Sequence, residues 1–262
     1  MSRVAARLPF GLAAPAGIAL AVMGVAAASL LLLAMGDAGA WWSHGVRPAQ
    51  ASLPAWVALF LAAWTLMTGA MMLPTSLPFL LAALRVGGET ASTMAGLGFT
   101  AVWLAIGAIE CSALWAAGEL LDAFAPGRAE QLAGASLVAA AAYQLSPLAN
   151  ACQRACARPF AILAQHVHGT GSSRREALAA GLHYGASCVG CCLPMIVVMF
   201  VVGAHDLAWI LALALLMAIQ KHAVWGARIA LPAAAVLALC GLAIGIGWWV
   251  PPLHSLRALC GS

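Results

Sequence analysis

Sulfur-bearing side chains are concentrated in one apolar segment, HYGASCVGCCLPMIVVMF, at residues 183–200. Because successive residues of an α-helix are about 100° apart, five of these side chains fall on one stripe. They are Cys188, Cys191, Cys192, Met195 and Met199. Pro194 lies in the same segment and cannot donate a hydrogen bond to the carbonyl of Gly190, which leaves that oxygen free, as at ion sites in broken membrane helices. The pattern predicts a soft-metal site; its alternative is an ordinary packed core of small and flexible residues.

A second group of thiols lies in YQLSPLANACQRACARP, residues 143–159. Ser146 followed by Pro147 is typical of a helix N-cap with proline at the first helical position. A helix that begins there places Cys152 and Cys156 at i and i+4 on one face, where they can share one ion. Two neighbouring arginines favour the thiolate form that binds metal, although they are equally explained as topological anchors.

Thioethers supply the third group, in MTGAMMLPTSLP at residues 67–78, where Met71 and Met72 precede two prolines. Thiolates and thioethers are soft ligands, which favours Cu(I) first and Zn(II) second. Calcium and magnesium require oxygen ligands that are scarce near these segments. His183 is a further candidate nitrogen ligand, or a plain interfacial histidine. A methionine stripe is also consistent with packing alone.

The elements that must position these groups are transmembrane helices. The chain has 262 residues, of which 64% are hydrophobic and 8% charged, far below the roughly 25% charged residues of soluble domains. We therefore expect an all-α, polytopic membrane helix bundle forming a single domain over residues 1–262, in contact with the lipid bilayer. Seven transmembrane spans are predicted, at about 12–35, 54–73, 94–118, 131–151, 184–203, 207–221 and 229–250.

Charge placement predicts the orientation of this bundle. With the N-terminus inside, nine of the twelve lysines and arginines fall on the inner side of the seven predicted spans, and this bias favours N-inside and C-outside. The first apolar run is too long for a signal peptide and is expected to be retained. Residues 152–183 then form a cytoplasmic connection, whose centre at 166–177 is predicted to be a solvated loop. The sequence contains no long basic run, so no nucleic acid is expected as a partner.

Other polar groups interrupt the apolar spans. Glu110 and Cys111 lie in the third predicted span, where an ionisable group indicates an ion path or a buried partner. His205 and Asp206, on an outer connection, are positioned to form a second site with them. The alternative is a structural hydrogen bond within the bundle.

Lys221 and His222, at the inner end of the sixth predicted span, are expected to be a snorkelling anchor. Cys240 and Cys260 are not assigned a role. The segment GLAIGIG, residues 241–247, carries small residues that allow two helices to approach closely.

Three of these motifs together resemble a known family. AMMLPTSLP (70–78), YQLSPLANACQRACARP (143–159) and CVGCC (188–192) occur in the order found in the bacterial proteins described as predicted metal-binding integral membrane proteins (domain of unknown function 2182). The resemblance covers roughly residues 55–222 and implies a multi-pass protein of the bacterial inner (cytoplasmic) membrane. The metal ligands that it implies are Met71, Met72, Cys152, Cys156, Cys188, Cys191 and Cys192.

The chain also departs from that family's pattern. Members commonly have a tryptophan after the double cysteine, where this chain has Leu193 and Pro194. A frequent Met-Asn pair is replaced by His205 and Asp206, and a frequent glutamate before the lysine of the sixth span is Gln220. If Gln220 replaces a metal ligand or proton carrier, activity differs from that of relatives.

Three functions are compatible with these residues. The leading hypothesis is a membrane protein that binds copper at the cysteine and methionine site in the cytoplasmic half of the bundle, for transport or delivery. Its partners would be a metal donor or acceptor protein, or a larger membrane complex. The alternatives are a membrane thiol–disulfide oxidoreductase, with Cys152/Cys156 and Cys188/Cys191 as its pairs, and a structural or assembly subunit. The absence of a P-loop argues against a primary pump working alone.

Overall fold

A computed structural model describes residues 13–35, 52–124, 128–167, 173–202, 207–223 and 225–248. These ranges form eight α-helices, which confirms the all-α prediction. The helices are α1 (Ala13–Met35), α2 (Leu53–Phe124), α3 (Ala129–Gln144), α4 (Pro147–Cys156), α5 (Pro159–His166), α6 (Arg174–Val202), α7 (Leu207–His222) and α8 (Ala230–Gly245). A short 3-10 turn, Gly226–Ile229, leads into α8.

Several helices are long and apolar enough to cross a membrane. Three stretches meet this description, at 14–33, 53–116 and 174–199, and the bent pair of α3 and α4 makes a fourth if it is counted as one span. Helices α7 and α8 are apolar but shorter. The predicted number of seven spans and the orientation therefore stay predictions.

Helix α2 consists of two arms joined at Gly87 and Gly88, where the backbone leaves helical geometry. Gly88 has φ 76° and ψ −170°, a conformation that only glycine adopts without strain. The predicted spans 54–73 and 94–118 lie in different arms, as expected. The first arm continues as a helix through Pro74 and Pro78 to the glycine pair, beyond the predicted end of the span at residue 73.

The predicted span 131–151 is not one straight helix, because α3 ends at Gln144 and α4 leaves at an angle of 65°. The Ser146 side chain accepts a hydrogen bond from the Ala149 amide at 3.1 Å, and Pro147 occupies the first helical position. The cap predicted from the sequence is thus confirmed. It starts a new helix in a new direction, because an N-cap residue has an extended backbone.

Residues 152–183, predicted to be a connection, are largely helical. They contain the end of α4, all of α5 and the first ten residues of α6. The predicted solvated loop 166–177 is wrong beyond Ser173: the Glu176 amide donates to the Ser173 hydroxyl at 3.2 Å, and the Ser173 amide donates to the Glu176 carboxylate at 2.8 Å. This capping box starts α6 ten residues earlier than predicted.

Glycines let α6 cross α2 at very short range. A Cβ atom added to Gly98 on α2 would lie 2.5 Å from the carbonyl oxygen of Leu178, and one added to Gly181 on α6 would collide with the carbonyl oxygen of Ala95. Helices α3 and α8 meet in the same way: a Cβ atom on Gly241 would lie 2.7 Å from the carbonyl oxygen of Gly134. The close contact predicted for GLAIGIG is therefore confirmed at Gly241.

A continuous row of aromatic rings fills the space between the arms of α2 and reaches α6. Neighbouring ring centroids are 4.1 to 6.4 Å apart. In order of contact, the rings are Trp56, Phe60, Trp64, Trp103, Phe99, Tyr184 and Phe79. The Trp64 indole donates a hydrogen bond to the carbonyl of Trp103 at 2.7 Å, which ties one arm to the other. Tyr184 stacks on Phe79 and so fixes α6 against the first arm.

We expect Gly181→Ala to lower the free energy of unfolding by about 1–3 kcal/mol, since the added methyl group overpacks a backbone contact. The matched control is Gly17→Ala on α1, where an added Cβ atom meets nothing within 4 Å. That substitution should leave stability unchanged or raise it by about 1 kcal/mol through helix propensity. Thermal unfolding in detergent measures both. Equal midpoints for the two variants would contradict the glycine crossing.

Candidate metal centre

Four thiols from two helices are in mutual contact, and we call them the sulfur cluster: Cys156, Cys188, Cys191 and Cys192. The Cys191 sulfur lies 3.6 Å from that of Cys156 and 3.7 Å from that of Cys192. The Cys191 thiol also donates a hydrogen bond to the Cys188 carbonyl at 3.2 Å, and the Cys188 side chain lies beside the other three. All four are reduced. Cys188 and Cys192 are fully buried, whereas Cys191 keeps some exposure.

These distances suit a metal ion bound to sulfur. For metal–sulfur bonds of about 2.3 Å in tetrahedral geometry, neighbouring sulfurs are about 3.8 Å apart. The sulfurs already have nearly that spacing, but they touch one another. Within the described ranges, no three or more His, Cys, Asp or Glu side chains already surround a metal position. An ion would thus replace the hydrogen bonds between thiols rather than enter a finished cage.

Helix α4 carries the thiols of residues 143–159 and brings them to α6. Cys152 and Cys156 lie on one face of α4, as predicted, and this face is turned to α6, but the two thiols contact different parts of that helix. Cys156, the last residue of α4, reaches Cys191. Cys152 lies one turn earlier against Gly190, where an added Cβ atom would be 2.5 Å from its sulfur. Cys152 therefore borders the sulfur cluster one helical turn away.

The carbonyl freed by Pro194 has a protein partner. The Tyr143 hydroxyl, from the end of α3, donates a hydrogen bond to the Gly190 carbonyl at 2.9 Å. The expected free oxygen is therefore satisfied inside the bundle and is a structural acceptor. Tyr143 was not predicted as a site residue, although it is the first residue of the segment 143–159. The hydrogen bond fastens α3 beside Cys191 and Cys192.

A lysine also belongs to this region. The Lys221 ammonium donates hydrogen bonds to the Cys188 sulfur at 3.0 Å and to the Thr75 hydroxyl at 3.4 Å. Its side chain is only 5% exposed, so the predicted snorkelling anchor is wrong. An ammonium removed from water needs a compensating partner, and a thiolate at Cys188 would supply the opposite charge.

Neighbouring groups hold this lysine in place. The Gln153 side chain on α4 donates to the Gln220 carbonyl at 3.2 Å, and a ring nitrogen of His222 lies 3.2 Å from the Thr75 carbonyl oxygen. The end of α7 is thereby attached both to α4 and to the first arm of α2. The Gln220 side-chain nitrogen is buried and has no hydrogen-bond partner among the residues that the structure describes. A polar donor thus lies beside the lysine, at the position where the resembling family has glutamate.

The two candidate methionines lie in the same core. Met71 and Met72 are each 1% exposed and belong to the contiguous apolar core that includes Cys156, Cys188 and Cys192. The Thr75 hydroxyl donates to the Met72 carbonyl at 3.0 Å, so the methionines are one turn from the residue that contacts Lys221. Met71 and Met72 therefore share the buried core with the sulfur cluster, on the first arm of α2.

The second site predicted near Glu110 is only partly described. Glu110 is half-buried and Cys111 is 4% exposed. His205 and Asp206 lie outside the described residues, so their pairing stays a prediction. Cys240 is half-buried on α8, and Cys260 lies outside the described ranges.

The fold and the site define a class: an all-helical protein with membrane-length apolar helices and a buried group of reduced thiols. Comparison with known families identifies it further. The family model PpoB2, described as a copper chaperone, matches residues 61–244, a range that contains all three sulfur-bearing segments. This chain belongs to that copper chaperone family. Comparisons with curated proteins and with solved structures give no match.

The family match bears on the expectations from the sequence. A metal-related family is confirmed, and copper is the metal that its description names. The narrower resemblance to the domain of unknown function 2182, the bacterial inner membrane and the ligand set remain predictions.

Tyr143→Phe should lower the free energy of unfolding by about 1–2 kcal/mol, because the buried Gly190 carbonyl loses its donor. In a Pro194→Ala background the same change should have little effect, since the new backbone amide supplies an intrahelical hydrogen bond. A double-mutant cycle by thermal unfolding in detergent measures this coupling. Additive effects of the two substitutions would show that Tyr143 does not compensate for Pro194.

Proposed function

We propose that this protein is an integral membrane copper chaperone that binds Cu(I) at the sulfur cluster and passes it to a partner protein. The observation that carries the proposal is the contact of four reduced thiols, from two helices, inside the apolar core. The family match to copper chaperones supports copper as the cargo. We place the cluster in the cytoplasmic half of a multi-pass bacterial inner-membrane protein, N-inside and C-outside.

The donor set favours Cu(I) on chemical grounds. Thiolates are soft ligands, and thioethers such as those of Met71 and Met72 suit Cu(I) in particular. Zinc is the second choice, since it commonly takes four thiolates in a closed site. Each thiol that becomes a ligand releases its proton, so loading with copper depends on pH.

Net charge also favours Cu(I). One Cu(I) ion bound by two thiolates has a net charge of −1, and the Lys221 ammonium makes the group neutral. Zn(II) bound by four thiolates would have a net charge of −2 and would keep one uncompensated negative charge beside the same lysine. An uncompensated charge inside an apolar bundle is strongly unfavourable. We infer that Lys221 is the counter-ion of the loaded cluster.

The thiols have different exposure, and this suggests a division of roles. Cys188 and Cys192 are fully buried and would retain the ion. Cys191 is partly exposed and contacts both Cys156 and Cys192, so it is placed to exchange copper between the cluster and the outside. Cys152, one turn from Cys156, and Met71 and Met72, in the same apolar core, are auxiliary donors that would hold copper during this exchange.

The purified protein should carry about one to two copper ions per chain. Replacing Cys188, Cys191 and Cys192 together with serine should reduce the copper retained through purification to near zero, because a hydroxyl is a poor ligand for a soft ion. Elemental analysis by mass spectrometry provides the measurement. The matched control is the double replacement of Cys111 and Cys240 with serine, which changes thiols outside the cluster and should keep the copper.

Unchanged copper content in the triple variant would refute the proposed site.

A specific distance favours one competing function: the sulfurs of Cys156 and Cys191 are 3.6 Å apart, close enough to join as a disulfide after a small movement. If thiol alkylation shows that this pair forms and breaks with the redox state of the cell while no copper is bound, a thiol–disulfide oxidoreductase is the better assignment.

Lys221→Met should weaken Cu(I) binding by about tenfold or more, which corresponds to at least about 1.4 kcal/mol of lost charge compensation. Lys221→Arg preserves the charge and should retain most of the affinity. Competition with a Cu(I) chelator of known affinity measures both variants under anaerobic conditions. If the methionine variant binds Cu(I) as tightly as the arginine variant does, the charge of Lys221 has no role in holding the ion.

A further inference from the structure

Two histidines meet outside the sulfur cluster. The Nε2 atom of His166 lies 3.0 Å from the Nδ1 atom of His183, and the rings are nearly perpendicular at 84°. His166 is the last residue of α5, and His183 lies in α6, against which α5 packs. His183 is exposed and His166 is half-buried. The pair is therefore accessible from outside the bundle.

The position of this pair relates it to the cluster. His183, Ser187 and Cys191 are spaced four residues apart and so lie along one stripe of α6, about 12 Å from end to end. Cys191 is the partly exposed thiol of the cluster, and its sulfur contacts those of Cys156 and Cys192. The exposed His183 of the imidazole pair and the partly exposed Cys191 of the cluster thus lie on one face of α6.

We propose that His166 and His183 form a second metal site, which binds Cu(I) transiently and exchanges it with the sulfur cluster through Cys191. This inference rests on the proposed copper function. Imidazole nitrogens bind copper but are less soft than thiolates, so copper at the pair is held more weakly than copper at the cluster. A weak exposed site beside a strong buried one is the arrangement that a carrier needs in order to load and unload.

The proposed exchange involves no electron transfer. In the absence of metal, one of the two facing nitrogens carries the proton that the other accepts. To bind Cu(I), the protonated ring takes its other neutral tautomer, so that both facing nitrogens offer lone pairs and no net proton is lost. When copper passes to Cys191, that thiol releases its proton to solvent, the copper–nitrogen bonds break and a copper–sulfur bond forms.

The first experiment isolates the pair from the cluster. The full-length chain carrying C188S, C191S and C192S is incubated anaerobically with Cu(I) alone, and X-ray absorption spectroscopy reports the ligands. We expect one weakly bound Cu(I) ion with nitrogen ligands, and we expect its loss when H166Q and H183Q are added. Q165A, which changes the exposed neighbour of His166, is the matched control and should keep the ion. Nitrogen-bound copper that survives H166Q and H183Q would overturn the proposal.

The second experiment tests the link between the two sites. With all cysteines intact, H166Q/H183Q should leave the amount of sulfur-bound copper unchanged and slow its loading by about tenfold, an effect of the size seen when groups around a metal site are lost. Unchanged loading would show that the pair only ties α5 to α6. If the double variant fails to fold, carbethoxylation of His183 in the unsubstituted chain is measured instead; Cu(I) should protect this ring, and lack of protection would refute the site.

These results separate this inference from the proposed function. If the unsubstituted chain binds no copper through sulfur, the proposed chaperone site is wrong, whatever the histidines do. If sulfur-bound copper is present in the unsubstituted chain while the C188S/C191S/C192S chain binds none at the pair, only the histidine site is wrong.

Discussion

The contact of backbone with backbone where α6 crosses α2 is the constraint on which the rest of the structure depends. Gly98 and Gly181 leave no room for a methyl group at this crossing, so the position of α6 along α2 is fixed within a narrow range. Three cysteines, Gly190 and His183 are all carried by α6, and their neighbours on α2 are defined by the same crossing. In a membrane, where apolar burial gives little preference between helix and lipid, close packing of small residues is a main source of such fixed positions.

Around this crossing, the bundle contains a polar centre that an apolar environment would ordinarily exclude. Lys221 reaches Cys188 and Thr75, so three helices meet at one ammonium group: α2, α6 and α7. Removing an ion from water is unfavourable unless its charge and its hydrogen bonds are compensated. Cys188 accepts a hydrogen bond from the lysine in the structure, and the sulfur cluster would be its opposite charge in the proposed loaded state. In that state, packing of the bundle and affinity for a cation would be linked.

Features encoded by neighbouring residues were predictable, and features that depend on distant partners were not. The sulfur stripe of α6 and the cap at Ser146 follow from helical periodicity and local hydrogen bonding, so both were found in the sequence. The capping box of Ser173 and Glu176 is also formed by residues close in the sequence, but it was not predicted. The predicted start of α6 was therefore too late. The partners of Lys221, Tyr143 and His166 come from other helices. Lys221 was interpreted as an anchor because a charged residue at a helix end usually reaches water, and only tertiary packing reveals the thiol beside it.

Tyr143, Cys152, Gly190 and Pro194 also provide a signature for recognising this site in other chains. Cysteine spacing alone is weak evidence for such a site, whereas the contacts of these four residues depend on one another. Pro194 lacks the amide that would donate to the Gly190 carbonyl, and the Tyr143 hydroxyl donates to this carbonyl instead. Gly190 has no side chain and so leaves room for the Cys152 sulfur of α4. In a chain that has another residue in place of the proline, the backbone amide of that residue donates to the carbonyl within the helix. The tyrosine hydroxyl is then no longer needed as a donor, and selection for it disappears. The tyrosine and proline positions should therefore covary across evolution, while the glycine should follow the cysteine of α4.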